Sequence, residues 1–214
     1  NLYKQNKFYK ANLLSYELAN SISNQAIYQL AREYAEWQWH AKALMLANLS
    51  NHRHDLKLRF PLAHQDIVSQ YSTKFTIEKP LIYAIIRQES TFRKKAKSSA
   101  NAMGLMQVIP STARTMARKN KIPLPTLKKM YHAKTNVHVG TAYLKHLSKR
   151  FKKHPVLMAA AYNAGPRQVL YWLKKQPSHD SDIWIETLPW GETRNYLKNV
   201  LSFYAVYQYR LKIK

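Results

Sequence analysis

The chain has 214 residues, of which 46% are hydrophobic and 12% aromatic, so it carries enough apolar surface for a folded core and is not a disordered protein. It contains no cysteine, which excludes a disulfide framework, a thiol nucleophile and a cysteine metal site. The 35 lysines and arginines against 11 aspartates and glutamates give a formal net charge of +24, which favours an anionic partner such as nucleic acid, an anionic membrane or an acidic polymer.

Apolar residues at helical spacing predict short antiparallel helices at the start of the chain. Three such sets occur: Leu13, Leu14 and Leu18; Ala26, Leu30 and Tyr34; and Leu44, Leu46 and Leu49. A polar, histidine-rich stretch follows at 51–59, and Phe60-Pro61-Leu62 then begins a new pattern. We therefore predict a helical region over 1–60 and a second domain over 61–214.

Prolines and cap residues predict where the later helices begin. Pro80, Pro155 and Pro166 suit first turns, since the N–H that proline lacks has no partner there. Ser111 is a candidate N-cap for a helix over 112–119, and Asn136 is a candidate N-cap for a longer one. The apolar stripe of that longer helix comprises Gly140, Leu144, Leu147 and Phe151.

The last predicted helix begins at about Glu192 and carries its apolar side chains on one face: Leu197, Val200, Leu201, Tyr204 and Tyr207. Alternating, strand-like stretches are scarce, and only 96–108 leaves room for a small hairpin. The fold class is therefore mostly α. The longest apolar run, 156–162, is far too short to span a bilayer.

Only four glycines occur, so each has a candidate role. Gly140 lies inside a predicted helix, where glycine is unfavourable, and predicts the close approach of another helix. Gly104, Gly165 and Gly191 lie in predicted loops among amide, aromatic and thioether side chains, a composition that suits a groove for an uncharged polar ligand. Taken singly, each is also typical of a helix cap or a turn.

Carboxylates are scarce, and no aspartate or glutamate occurs from Ser90 to His179. Glu89 ends an apolar helical segment, where burial would raise the pKa of the carboxyl and suit it to general acid catalysis. Arg87 and Arg93 would oppose that rise if they pointed at Glu89. A glutamate at a helix end is, taken alone, more often a solvated surface residue.

Four motifs in order place Glu89 in a pattern: Gln88-Glu89-Ser90, then Gly104-Leu105-Met106-Gln107 with Pro110 beyond it, then 161–166 (AYNAGP), then 192–196 (ETRNY). The pattern resembles that of the soluble lytic transglycosylases, lysozyme-like enzymes of the bacterial periplasm. The likeness covers about 59–209. It implies a lysozyme-like α+β catalytic domain with at most a small hairpin, and it makes the early helices the remnant of a longer helical region that precedes that domain.

The resemblance also implies a role for each motif. Glu89 would be the sole catalytic residue, acting first as acid and then as base. The other motif residues would bind the glycan: Ser90, Gly104, Met106, Gln107, Tyr162, Asn163, Glu192 and Tyr196. The implied reaction cleaves the N-acetylmuramic acid–N-acetylglucosamine bond of peptidoglycan without water and leaves a 1,6-anhydro sugar. No cofactor or metal is implied, and the family places the enzyme in the periplasm.

Two features depart from the family pattern. Met103 precedes the glycine of the second motif, where a small residue is usual, and Arg167 follows Pro166, where a further glycine is common. Both changes could reshape a subsite without touching Glu89. The chain starts at Asn1 without a leader segment, so we expect that a targeting segment was removed or that the chain is a fragment.

Three alternatives remain at this point. A hydrolysing muramidase on the same fold would use water as the nucleophile, and a glycan-binding protein would have lost catalysis. A nucleic-acid-binding module would suit the charge and the aromatic content, although no nucleic-acid motif is present, and we expect no nucleic-acid partner. The histidine pairs His52/His54 and His138/His146 lack metal-site spacing, so we interpret them as surface residues. A monomer is our expectation.

Overall fold

A computed structural model describes residues 21–177 and 180–212 of the chain. Its residues separate into two compact units, 1–63 and 64–214, and each is described by itself. The predicted apolar set of Leu13, Leu14 and Leu18 lies outside the described residues. Throughout them helices dominate, which confirms the mostly α class.

The described part of the first unit contains three helices: α1 (Asn24–Glu36), α2 (His40–Leu49) and α3 (Leu56–Arg59). The Ser23 side chain caps α1 by accepting a hydrogen bond from the backbone N–H of Ala26, at 3.2 Å. The Asp55 side chain caps α3 by accepting from the N–H of Leu58, at 3.0 Å. These local hydrogen bonds define where the two helices begin.

The buried face of α1 differs from the predicted one. Its buried residues are Ile27, Ala31 and Tyr34, whereas Ala26 is exposed and Leu30 is only half-buried. Tyr34 is buried as predicted, but at the two earlier positions the buried residue is the next one along the chain, because packing against α2 decides which residues are covered. In α2 itself Leu44 and Leu46 are buried, while Leu49 is 38% exposed.

The described part of the second unit contains eight α-helices: α4 (Gln65–Phe75), α5 (Lys79–Ser90), α6 (Pro110–Lys119), α7 (Ala133–Arg150), α8 (Pro155–Ala164), α9 (Pro166–Lys175), α10 (Ser181–Thr187) and α11 (Gly191–Arg210). A short 3₁₀ turn at Lys129–Tyr131 precedes α7. The core forms where α5 packs along α11, α4 packs on α7, and α8 packs on both α7 and α11. Helix α5 lies at the centre, since its residues from Pro80 to Ile86 are all buried.

Several predicted helix starts are confirmed, including that of α11 to within one residue, and two predicted N-caps are wrong. Pro80, Pro155 and Pro166 lie in the first turns of their helices, as predicted. Helix α6 begins at Pro110, one residue before the predicted cap Ser111. Asn136 is not a cap but lies inside the first turn of α7, fully buried. Gly191 is the first residue of α11 and not a loop residue.

The predicted stripe of α7 is confirmed, because all four of its residues are buried: Gly140, Leu144, Leu147 and Phe151. On α11 the predicted face is also observed, with Leu197, Val200 and Tyr207 buried and Leu201 and Tyr204 half-buried. Between α5 and α6 the chain forms two isolated antiparallel bridges, Lys97 with Met103 and Met103 with Val108, in place of a regular hairpin. Within the described residues, no helix has the length and apolar character needed to cross a membrane.

Candidate active site

Glu89 lies in the last turn of α5, just before the helix ends at Thr91, which adopts a left-handed conformation with φ 52°. The residues that precede Glu89 in the helix are apolar and buried in the core. Glu89 itself lies where the helix leaves the core, and it lines a cleft. Arg87 lies over the Phe203 ring, 5.0 Å from its centroid. The Arg93 Nε atom donates to the backbone oxygen of Ser90 at 3.0 Å.

Burial raises the pKa of the Glu89 carboxyl from 4.5 to about 7. The Tyr196 hydroxyl, on α11, donates a hydrogen bond to Glu89 Oε1 at 2.7 Å and acts in the opposite direction, since it favours the charged carboxylate. The negative charge of Glu192 raises the pKa further. The rise predicted from the apolar surroundings is therefore confirmed. A carboxyl with a pKa near 7 can both give and take a proton near neutral pH.

The loop between α5 and α6 forms another part of the site. Gly104 has φ 74°, a conformation that favours glycine, and a Cβ atom there would lie 2.6 Å from the Met130 backbone oxygen and would also meet the Asn136 side chain. Gln107 has φ 45° and its Nε2 amide donates to the backbone oxygens of Ala96 and Gly104, at 3.1 and 2.8 Å. The loop is therefore held by hydrogen bonds from its own side chains.

The Asn136 side chain, on α7, holds the same loop through hydrogen bonds to its backbone. Its Oδ1 accepts from the Met106 backbone N–H at 2.7 Å, and its Nδ2 donates to the backbone oxygens of Met103 at 2.7 Å and Met130 at 2.9 Å. One turn later, a Cβ on Gly140 would lie 2.5 Å from the Met106 sulfur. The close neighbour predicted for Gly140 is thus the side chain of a loop methionine and not another helix.

The end of α8 forms another wall of the cleft. The Tyr162 hydroxyl donates to the Met106 backbone oxygen at 2.7 Å, which ties α8 to the loop. The Asn163 Oδ1 accepts from the Thr193 hydroxyl of α11 at 2.8 Å. Gly165, with φ 86°, ends α8 and precedes the first turn of α9. The three later motifs are therefore joined by hydrogen bonds between their side chains and backbones.

Together these segments enclose a cleft of about 610 Å³. Five of the predicted site residues line it: Glu89, Gln107, Tyr162, Asn163 and Glu192. The other four predicted residues are buried beside it: Ser90, Gly104, Met106 and Tyr196. Tyr196 contacts Glu89 directly, whereas the Ser90 hydroxyl donates to the Ile86 backbone oxygen at 3.2 Å. The cleft thus brings parts of all four motifs together around the half-buried carboxyl of Glu89.

A family profile for the transglycosylase SLT domain matches residues 66–185, and a profile for the soluble lytic transglycosylase helical domain matches residues 187–214. The soluble lytic murein transglycosylase of Escherichia coli (strain K12) is 37% identical over 186 residues, which make up 85% of this chain. The chain belongs to the soluble lytic transglycosylase family. It spans 28% of the length of that Escherichia coli relative.

Solved structures of soluble lytic transglycosylases are similar to this chain over almost all of its length. An inactive glutamate-to-glutamine mutant of the lytic transglycosylase Slt from Pseudomonas aeruginosa matches with a TM-score of 0.91 and 34% identity, over 99% of this chain and 34% of that one. A complex of the 70-kDa soluble lytic transglycosylase with bulgecin A matches with a TM-score of 0.93 and 33% identity, over 100% of this chain and 35% of that one. The resemblance inferred from the motifs is confirmed.

Sequence reasoning missed three residues of this candidate site: Tyr143, Asn136 and Thr193. Tyr143 lines the cleft, with its ring centroid 5.3 Å from that of Tyr162. Asn136 forms hydrogen bonds with the backbone of the loop that carries Gln107. The Thr193 hydroxyl donates a hydrogen bond to Asn163. Thr193 lies within the fourth motif, 192–196, and its position next to Glu192 was a usable signal that it belongs to the site. Tyr143 and Asn136 carried no local signal, because their partners are distant in the sequence.

Proposed function

We propose that this chain carries the catalytic site of a lytic transglycosylase that cleaves the bond between N-acetylmuramic acid and N-acetylglucosamine in peptidoglycan. The observation that carries the proposal is Glu89, a carboxyl with a pKa of about 7 that lies at the end of a buried helix and opens into a cleft of about 610 Å³. The names of the family relatives support the same activity.

In the first step, Glu89 acts as a general acid. Its protonated carboxyl donates the proton to the glycosidic oxygen, and the bond to C1 of the muramic acid residue breaks as positive charge develops on that ring. The substrate's own N-acetyl oxygen stabilises C1. Burial favours the protonated form of the Glu89 carboxyl and raises its pKa to about 7. The carboxyl therefore still holds its proton in a large fraction of molecules at neutral pH.

In the second step, the Glu89 carboxylate acts as a base. It takes the proton of the C6 hydroxyl of the same sugar, and the C6 oxygen attacks C1 and closes the 1,6-anhydro ring. No water is consumed, and Glu89 ends protonated, ready for another turnover. The protein's task is to exclude water and to hold the C6 oxygen near C1, which proximity within the cleft favours.

The scarcity of carboxylates supports this mechanism over a two-carboxylate glycosidase. Glycosidases that use water or a covalent intermediate need a second carboxyl within about 5 to 9.5 Å of the acid. Among the described residues that line the cleft, the second carboxylate is Glu192, which is exposed and lies in the first turn of α11. A carboxylate there also stabilises the helix N-terminus, so we assign it a substrate contact and not the role of nucleophile.

The fixed hydrogen bonds of the cleft residues define what each can offer to the sugar. The Gln107 amide nitrogen donates to two backbone oxygens, so its Oε1 is left to accept from a sugar hydroxyl or amide. The Asn163 Oδ1 accepts from Thr193, so its Nδ2 is left to donate. Tyr162 donates to Met106 and therefore presents its ring and an oxygen acceptor.

The remaining predicted residues act through these groups. Tyr196 orients and partly stabilises the Glu89 carboxylate, while Gly104 and Met106 place the loop that carries Gln107. Ser90 ends α5 and is buried. We further propose that residues 61–214 form the catalytic domain, that 1–60 belong to a helical region preceding it, and that the protein acts on glycan strands in the bacterial periplasm.

Product mass tests the proposal directly. Purified glycan strands digested with the protein should yield muropeptides that are lighter by one water molecule than the reducing-end products of a hydrolase, as measured by mass spectrometry. Products at the hydrolysed mass would instead identify a muramidase. No cleavage by a folded sample, under conditions where a lytic transglycosylase control is active, would overturn both.

The substitution Glu89→Gln should reduce turnover by about a thousandfold or more, because it removes the titratable proton while changing little volume. Binding to intact sacculi and the far-UV circular dichroism spectrum should change little. The matched control is Glu186→Gln, since Glu186 is a surface residue paired with Lys198 at 2.7 Å and lies outside the lining of the cleft. Substantial activity in the Glu89→Gln variant would show that the acid is another group.

A further inference from the structure

A second cavity, of about 250 Å³, lies between α6 and α7 on residues that the proposed reaction does not use. Its floor is apolar and closed, with Met116 and Ala142 each 1% exposed. Its other lining residues include Lys119 from the end of α6 and three residues of α7: Lys145, His146 and Lys149. We call this cavity the cationic pocket.

None of the described residues that line the cationic pocket is acidic. No aspartate or glutamate occurs between Ser90 and His179, so neither α6 nor α7 can neutralise it. Within residues 21–177 and 180–212, no carboxylate pairs with Lys119, Lys145 or Lys149. Burial, and then the charges of Lys119, Arg150 and Lys149, lower the pKa of His146, so both helices contribute to one positive field.

Helix-end electrostatics explain only part of this cluster. Lys119 and Lys149 lie in the last turns of α6 and α7, where cations stabilise the helix dipole. Lys145 and His146 lie before that turn, and both are half-buried against the pocket. On α7 the lining residues recur at 142, 145, 146 and 149, so one face of the helix points its basic side chains into the cavity.

The cationic pocket is connected to the cleft by the same two helices. Thr112 on α6 and Tyr143 on α7 line the cleft, and the Tyr143 ring stacks on the His146 ring with centroids 6.5 Å apart. Lys119 lies seven residues beyond Thr112, which is about 10 Å along a helix. A branch of three or more extended residues can cover that distance from a polymer bound in the cleft.

We propose that the cationic pocket binds the carboxylate groups of the acidic peptide branches on the glycan strand that occupies the cleft. This inference rests on the proposed function, because peptidoglycan is the polymer whose sugar backbone is flanked by peptides bearing carboxylates. Lysine ammonium groups form charge-assisted hydrogen bonds with such carboxylates. The cleft then recognises the sugars, and the pocket recognises the branch.

The test compares two pairs of lysines. The variant Lys145→Gln/Lys149→Gln removes two charges from the cationic pocket and keeps good helix formers. The control Lys174→Gln/Lys175→Gln removes two charges from the exposed end of α9, which lines neither the pocket nor the cleft. Both are made together with Glu89→Gln to prevent cleavage, and binding is measured on glycan strands with intact branches, with branches removed, and with branch carboxyls amidated.

We expect the pocket variant to lose about tenfold in affinity for strands with intact branches and little affinity for the other two ligands. The control variant should lower the affinity for all three ligands slightly and by the same factor. Equal losses on all three ligands, or an equal loss in the control, would overturn the proposal, since either would indicate general charge attraction. Because this readout is binding and not product mass, the pocket can fail while the proposed reaction stands, and the reaction can fail while the pocket stands.

Discussion

Glu89 and Glu192 are two glutamates of one cleft that lie in opposite environments. Glu89 lies in the last turn of α5, where the partial negative charge of a helix C-terminus disfavours a carboxylate, and burial raises its pKa to about 7. Glu192 lies in the first turn of α11, at the positive end of the helix dipole, and it is exposed. Since α5 packs along α11, the two ends meet at the cleft.

In the mechanism we propose, the burial of Glu89 and the solvent exposure of Glu192, and not residue type, separate the roles of the two glutamates. A carboxyl that is neutral for much of the time can give a proton, whereas a charged and solvated one can bind and attract. Tyr196 refines the first role, because its hydroxyl prevents burial from raising the pKa of Glu89 further. Each of these statements can be tested by changing one side chain.

The largest expected effect on stability comes from Glu89→Gln at high pH. The folded-state pKa of Glu89, about 7, lies above its ordinary value of 4.5, so the folded chain holds this proton more tightly than the unfolded chain. The stability that this carboxyl contributes is therefore complete below about pH 4.5 and is lost as the pH rises through about 7. Glutamine does not ionise, so the variant should be more stable than the wild type by about 3 kcal/mol at about pH 9 and equal to it at about pH 4.

Urea unfolding across this pH range measures the difference. Glu186→Gln is the control, because that carboxylate is exposed in a surface ion pair and should change stability by less than about 1 kcal/mol at any pH. A stability difference for Glu89→Gln that does not vary with pH would mean that the Glu89 carboxyl titrates like a solvated one. The contrast with Glu192 would then be lost. The same experiment measures by how much burial of the Glu89 carboxyl lowers the free energy of unfolding at high pH.

Local features of the sequence were sufficient for much of the fold and for proposing Glu89 as the acid. The three prolines predicted helix starts correctly because their effect acts within one turn. Glu89 was identified from its apolar neighbours and its motif. Asn136 was misassigned because asparagine is a common N-cap, whereas here its hydrogen-bond partners include Met106, which is 30 residues away.

Gly140 shows the same limit. The sequence predicted that another helix approaches Gly140 closely; a close neighbour is present, but it is the side chain of Met106 from the preceding loop. Two of the three residues predicted for the buried face of α1, Ala26 and Leu30, were misplaced by one position for a similar reason, since packing against α2 decides which residues are covered. Interactions between segments far apart in the chain set these details, and one sequence gives no direct measure of them.

A smaller effect is expected from Tyr196→Phe. The Tyr196 hydroxyl donates to Glu89 Oε1 at 2.7 Å and lowers the pKa of that carboxyl relative to burial alone. Removing the hydroxyl should raise the pKa by about one unit, so the alkaline limb of the pH profile of kcat/KM should move upward by the same amount. Tyr204→Phe is the matched control, because the Tyr204 hydroxyl donates to Glu78 outside the cleft. A limb that stays in place would show that Tyr196 has no influence on the acid.

The smallest effect should come from Glu192→Gln. The negative charge of Glu192 raises the pKa of Glu89, so its removal should move the alkaline limb downward, opposite to the shift in Tyr196→Phe and by only a few tenths of a unit. Because Glu192 is exposed, its influence passes through solvent, and the shift should disappear at about 1 M salt, where charges are screened within about 3 Å. A shift that persists at high salt would mean that Glu192 acts on Glu89 through a direct or water-excluded contact. The two carboxyls would then have to be treated as one coupled pair, and the single-acid mechanism would give way to one in which they share a proton.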